Sequence, residues 1–178
     1  MMVPVESAGA MQSFTLDSKI DVQTLPPTGA LQGRLEASAD ERAELATRFG
    51  FLELQSLHAD LRIVQVAKGS WDVRGKLLAE VVQPCGVTGE PVAESVDFDL
   101  EERYVQAVGS EDEIVVDLDE AEPLDSGKID LGEMVAQTLA LAVTPWPRSK
   151  DAPERFQAGE DERPHPFAGL ASLKSPDK

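Results

Sequence analysis

The sequence predicts an α+β fold: an antiparallel β-meander, forming a twisted sheet, covered by about two helices. Three observations carry this prediction. Apolar and polar residues alternate in long runs between 57 and 104, with short turns between the runs. Two segments of helical periodicity, each opened by a capping pattern, stand before and after those runs. Residues 151–178 are rich in Pro, Gly and charge, so a mostly disordered tail is expected after a single domain over 1–150. Pattern alone leaves open whether the sheet curls into a barrel-like form.

The elements follow in order. Residues 1–10 read as loose, Phe14 and Leu16 begin a first strand, and TLPPTG at 24–29 is a loop. Leu31, Gly33, Leu35 and Ala37 alternate with Gln32, Arg34 and Glu36, as in a half-buried strand. Ser38 and Glu41 have the spacing of a capping box, Ala43, Leu45, Ala46 and Phe49 form an apolar face, and Gly50 suits the left-handed residue that ends a helix. Leu57, Ala59, Leu61 and Ile63 then alternate until the phase slips to Val64 and Val66, where a bulge or packing on both faces is expected. Lys68–Gly69–Ser70 turns the chain, and Trp71, Val73, Gly75, Leu77, Ala79 and Val81 hold one phase. Gly86 and TGEP at 88–91 make the next turn. Val92, Val96, Phe98, Leu100 and Tyr104 then oppose Asp97, Asp99, Glu101 and Arg103, giving one apolar and one charged face. A flexible acidic connector spans 109–128, in which Ile114, Val115, Val116 and Leu118 can add a short strand. Asp130 caps the second helix, with Glu133 as its partner and Ile129 stapled on Met134. Leu131, Met134, Val135, Leu139 and Ala142 share a face, and Pro145 and Pro147 stop the helix, predicted over 131–143.

Charge and composition narrow the function. The 33 acidic residues outnumber 16 Lys and Arg, for a formal net charge of -17. Affinity for a phosphate backbone comes from Lys and Arg, so this balance favours a basic partner over nucleic acid. The start, MMVPVESAGAMQSF, has no basic stretch and no long apolar run, so no signal peptide is expected, nor any membrane association. One cysteine, Cys85, excludes an internal disulfide and a Cys-based zinc site, which fits a cytoplasmic setting. His58 falls within a strand and His165 in the tail, and neither stands beside a nucleophile signature. Acid pairs such as Asp97/Asp99 and Asp117/Asp119 carry little information in so acidic a chain, and GKIDLG lacks the spacing of a phosphate loop. No catalytic, cofactor or metal residue is therefore assigned, and an interaction protein is expected rather than an enzyme. The late island HPFAGLASLK interrupts the polar tail with Phe167, Leu170 and Leu173 at every third position, within an apolar motif over 166–174. It is expected either to dock on a partner or to fold back on its own domain.

Three blocks in this order, VRGKLLAEVVQPCGVTGEPVAESVDFDLEERY, IDLGEMVAQTLALAVTPWPR and HPFAGLASLK, resemble the YceD family of large ribosomal RNA subunit accumulation proteins, and its proteobacterial branch in particular. The resemblance covers roughly 70–173, and more weakly 31–50. In that family a second cysteine often follows the first, and Thr88 stands at that place here, which puts metal binding at the turn in doubt. The resemblance implies a ribosome biogenesis factor whose partner is a basic large-subunit ribosomal protein or a pre-ribosomal particle. Trp146, Arg148, Phe167, Leu170 and Leu173 are the candidate interaction residues. Direct contact with ribosomal RNA is the alternative. It requires Arg34, Arg62, Arg74 and Lys76 to converge on one face. A hydrolase, which needs a pocket gathering His58 with acidic residues, is the third reading.

Overall fold

The computed structural model describes residues 11–26, 29–106 and 121–153. The elements are β1 (Gln12–Phe14), β2 (Lys19–Asp21), a 3-10 turn at Val22–Thr24, β3 (Ala30–Glu36), α1 (Ala39–Phe49), β4 (Glu53–Ala67), β5 (Ser70–Pro84), β6 (Pro91–Val105), β7 (Glu122–Pro123), β8 (Lys128–Asp130) and α2 (Leu131–Ala142). β3 to β6 form the expected antiparallel meander inside a six-stranded sheet of order β1-β3-β4-β5-β6-β7. The short outer strands are parallel to their neighbours, which makes the sheet mixed, and it stays open. A small second sheet pairs β2 with β8.

Alternation sorts the long strands as the sequence indicates. Leu57, Leu61, Val73, Leu77, Val81, Val96 and Leu100 are buried on one face, joined there by Leu131, Met134, Val135 and Leu139 of α2 and by Leu45 of α1. Each fully buried Leu contributes roughly 1.5–3 kcal/mol, so the helices hold mainly through this face. The phase slip lies where expected: the β4–β5 register shifts between Gln65 and Ala67, and Val66 stands exposed. A second shift, between Leu54 and Ser56, was not foreseen, and it lets Leu54 and Leu57 both point inward. Phe98 keeps the apolar phase but is 43% exposed on the outermost long strand.

Both helix starts are built from the predicted caps. Ser38 Oγ accepts from the Glu41 N–H (3.3 Å) and Glu41 Oε2 from the Ser38 N–H (2.7 Å). Gly50, at φ +73°, ends α1. At α2, Asp130 Oδ1 accepts from the Glu133 N–H at 3.0 Å, but the Glu133 carboxylate does not return to the cap. It takes the Arg48 guanidinium instead (2.6 and 2.8 Å), tying α1 to α2. Gly132, second in α2, lets the backbone of Leu16 lie against the helix, where the Leu131 N–H reaches Ser18 O at 3.1 Å.

Candidate functional site

The chain after α2 is a strap across the β5–β6 turn. Glu94 lies in phase with the apolar side of β6, and its carboxylate accepts from the Thr144 N–H (3.0 and 3.1 Å) and Thr144 Oγ1 (2.7 Å). Gln83 Nε2 donates to Glu94 (2.8 Å) and to Thr144 O (3.1 Å). Further on, the Gly86 N–H donates to Pro147 O (2.9 Å) and the Ser149 N–H to Cys85 Sγ (3.3 Å). Between these anchors, with a proline on each side, Trp146 is 81% exposed. Leu141, in the last turn of α2, is 84% exposed. Arg148 donates to Pro153 O at 2.5 Å. Of the five expected interaction residues, Trp146 and Arg148 therefore stand on this strap. Phe167, Leu170 and Leu173 lie outside the described residues, as do the motif at 166–174, His165 and the expected strand at Ile114–Leu118.

Cys85 organises the turn beneath the strap. It is buried, and its sulfur accepts from the N–H groups of Val87 (3.5 Å), Thr88 (3.4 Å) and Ser149. Hydrogen bonding from Thr88, then from the Ser149 N–H, brings the thiol down to about 6.

Two clefts flank the N-terminal half of α2 and share Asp130 and Glu133. The first, about 570 Å³, carries Asp17, Asp40 and Glu44 beside apolar Leu16 and Leu45. The second, about 250 Å³, carries Glu102, Glu122 and Asp125 around Tyr104, Met134 and Leu141. Lys19 pairs with Asp130 (3.0 Å) and Arg48 with Glu133, whereas Asp17, Asp40, Glu44, Glu102 and Glu122 make no ion pair among the described residues. Burial, and then the charge of Glu122, raise the Glu102 carboxyl above the usual range; burial likewise raises the Tyr104 phenol. Such a groove gains by receiving a cation. Composition announced the acid but not this grouping. The signal in the sequence was Glu94 and Glu102, two acids in phase with the apolar positions of β6.

The opposite sheet face is a lattice of ion pairs. Arg34, Arg62, Arg74 and Lys76 all project from it. Arg34 meets Asp60 (2.7 Å), Arg74 meets Glu101 (2.7 Å) and Asp72 (3.3 Å), and Lys76 meets Asp97 (2.8 Å). His58 lies on this face with Glu36 and Leu78 as its cross-strand partners. Among the described residues no group of three His, Cys, Asp or Glu side chains is placed to hold a metal. No helix there is long and apolar enough to cross a membrane.

A family model described as "Large ribosomal RNA subunit accumulation protein YceD" matches residues 73–174, more than half of the chain. A search of curated proteins and one of solved structures returned no significant match.

Proposed function

Because the chain belongs to the YceD family of large ribosomal RNA subunit accumulation proteins, we propose that it supports that accumulation by seating a basic large-subunit ribosomal protein, or a pre-ribosomal particle that presents one, on its acidic surface. The observation that carries this is the double cleft around α2, where carboxylates that have no ion pair among the described residues stand beside Leu16, Leu45, Met134 and exposed Leu141. Opposite charge raises the encounter rate and fixes register, while buried aromatic and aliphatic anchors supply most of the affinity. Trp146 and Arg148 on the strap are the proposed anchors, with Phe167, Leu170 and Leu173 of the 151–178 tail as a further contact. The role is one of binding in the cytoplasm, without catalysis or cofactor.

Direct RNA binding is the second reading, and one observation favours it: Arg34, Arg62, Arg74 and Lys76 share a face. Their pairing with Asp60, Glu101 and Asp97 neutralises most of that charge, so the acidic-seat reading is preferred.

The test is a tagged pull-down from cell extract at low and high salt, with and without nuclease. One basic large-subunit protein, retained at low salt, lost at high salt and indifferent to nuclease, is the expected result. Retention of RNA that nuclease abolishes would replace this reading with the second.

A further inference from the structure

Among the described residues the sheet has one long open edge. β6 pairs with β5 along its whole length, but among the described residues only Tyr104 and Val105 meet a strand on its other side. The Gln106 N–H bonded to Gly69 O (2.9 Å) turns the even-numbered residues of β6 toward β5. The Leu124 N–H bonded to Val105 O (2.9 Å) shows the odd-numbered carbonyls facing out. Alternation then puts the N–H and C=O groups of Ser95, Asp97, Asp99 and Glu101 on the open edge. Their side chains stand on the solvated face, where Asp97 is paired with Lys76 (2.8 Å) and Glu101 with Arg74 (2.7 Å) of the neighbouring strand. Asp99 is the most available, with a side chain 91% exposed and its Lys76 contact at 3.7 Å. On the other face of the same stretch, Phe98 is partly uncovered.

An open edge is a template for another strand, and charge decides which strand it accepts. A second copy is disfavoured. Antiparallel pairing of β6 with itself about Asp99 sets Asp99 against Asp99 and Asp97 against Glu101, and like charges directly opposite repel. A strand with Lys or Arg at alternate positions and apolar residues between meets Asp99 first, flanked by the outer sides of Asp97 and Glu101, on one face and Phe98 on the other.

We propose that the outer edge of β6 takes up an extended, alternately basic and apolar segment of the partner protein by strand addition. Ser95, Asp97, Asp99 and Glu101 supply the main-chain bonds. This rests on the acidic-seat reading and adds a place and a mode of contact to it.

The experiment uses the full chain, labelled with nitrogen-15, and follows amide hydrogen exchange at those four residues. It is measured first alone, then with a seven-residue peptide of alternating Lys and Val, then with the same peptide N-methylated at its lysine amides. Rapid exchange alone, slowed at least ten-fold by the first peptide and unaffected by the second, is the expected result. Protection already present without peptide would show the chain filling its own edge and would overturn the inference. Equal binding of the methylated peptide would reduce the contact to charge alone and overturn it too. The pull-down separates the two levels. A basic protein retained while these amides stay unprotected removes strand addition and leaves the acidic seat. No basic protein retained at low salt removes the seat and the inference with it.

Discussion

Replacing Gly132 by Ala is the sharpest test of the packing, because two physical effects give opposite signs. On helix propensity alone the change stabilises by about 1 kcal/mol. In this fold the new methyl would stand 2.5 Å from the Leu16 carbonyl carbon and 2.8 Å from its Cα, both backbone atoms. The segment at 15–18 must then retreat, and two bonds hold it: the Leu131 N–H to Ser18 O and the Leu16 N–H to Glu41 Oε1 (2.9 Å). A neutral hydrogen bond contributes about 1 kcal/mol and one to a carboxylate roughly 1.5–3 kcal/mol. Set against the propensity gain, the net expectation is a loss of about 1.5–3 kcal/mol. Urea unfolding followed by far-ultraviolet circular dichroism should show the midpoint of Gly132→Ala lowered by roughly 1 M. A midpoint unchanged or raised would refute the close approach of Leu16 to α2.

Other expectations rest on single groups. The thiol of Cys85, the only cysteine, should titrate at 240 nm with a midpoint of about 6, and Thr88→Val should raise it. Because the folded value lies below the ordinary one, the unfolded chain binds more protons between the two, so stability should rise with pH from about 6 to 9. Cys85→Ala should flatten that limb in pH-dependent urea melts. The Arg48 guanidinium holds the Glu133 carboxyl down at about 2, a depressed value whose contribution is present above the ordinary carboxylate range and lost as pH falls toward 2. Glu133→Gln should remove this acid limb, at a cost of only about 0.5–1 kcal/mol near neutral pH because the pair is half exposed. Trp146→Ala should leave the unfolding free energy within about 0.5 kcal/mol of the parent. It should nonetheless weaken partner retention in the pull-down by at least ten-fold, as loss of an aromatic anchor does.

Local chemistry made much of the fold legible. Ser38 with Glu41 and Asp130 before Leu131 marked both helix starts within a residue, because a cap depends on neighbours in sequence. Alternation sorted the faces of β3 to β6 for the same reason. What escaped was pairing across distance. The first strand, expected to begin at Phe14, ends there instead; β2 and β8 have no periodicity long enough to read, and they exist because partners far along the chain satisfy them. Glu133 looked like a capping partner until Arg48, 85 residues away, claimed its carboxylate. The site was legible in part. An acidic surface follows from composition and the end of α2 from the two prolines, but the exposure of Trp146 between them is read only from the fold. The grouping of Glu102, Glu122 and Asp130 requires β6, β7 and β8 to meet, and Glu94 discloses its hold on Thr144 only once α2 is docked.

The small sheet of β2 and β8 bears on how the chain is made. Lys19 sits opposite Asp130, so more than a hundred residues must be synthesised before β2 finds its partner. The β4–β5 and β5–β6 hairpins can close as soon as they emerge, since their ends lie near each other in sequence. Nascent chains should therefore hold an ordered meander while the segment around Leu16 waits, and docking of α2 should gather both ends in the last step. Leu16 and Ser18 are then gatekeepers of completion: a chain cut short before α2 leaves the meander's apolar side covered by α1 alone, its remainder open to chaperones and proteases.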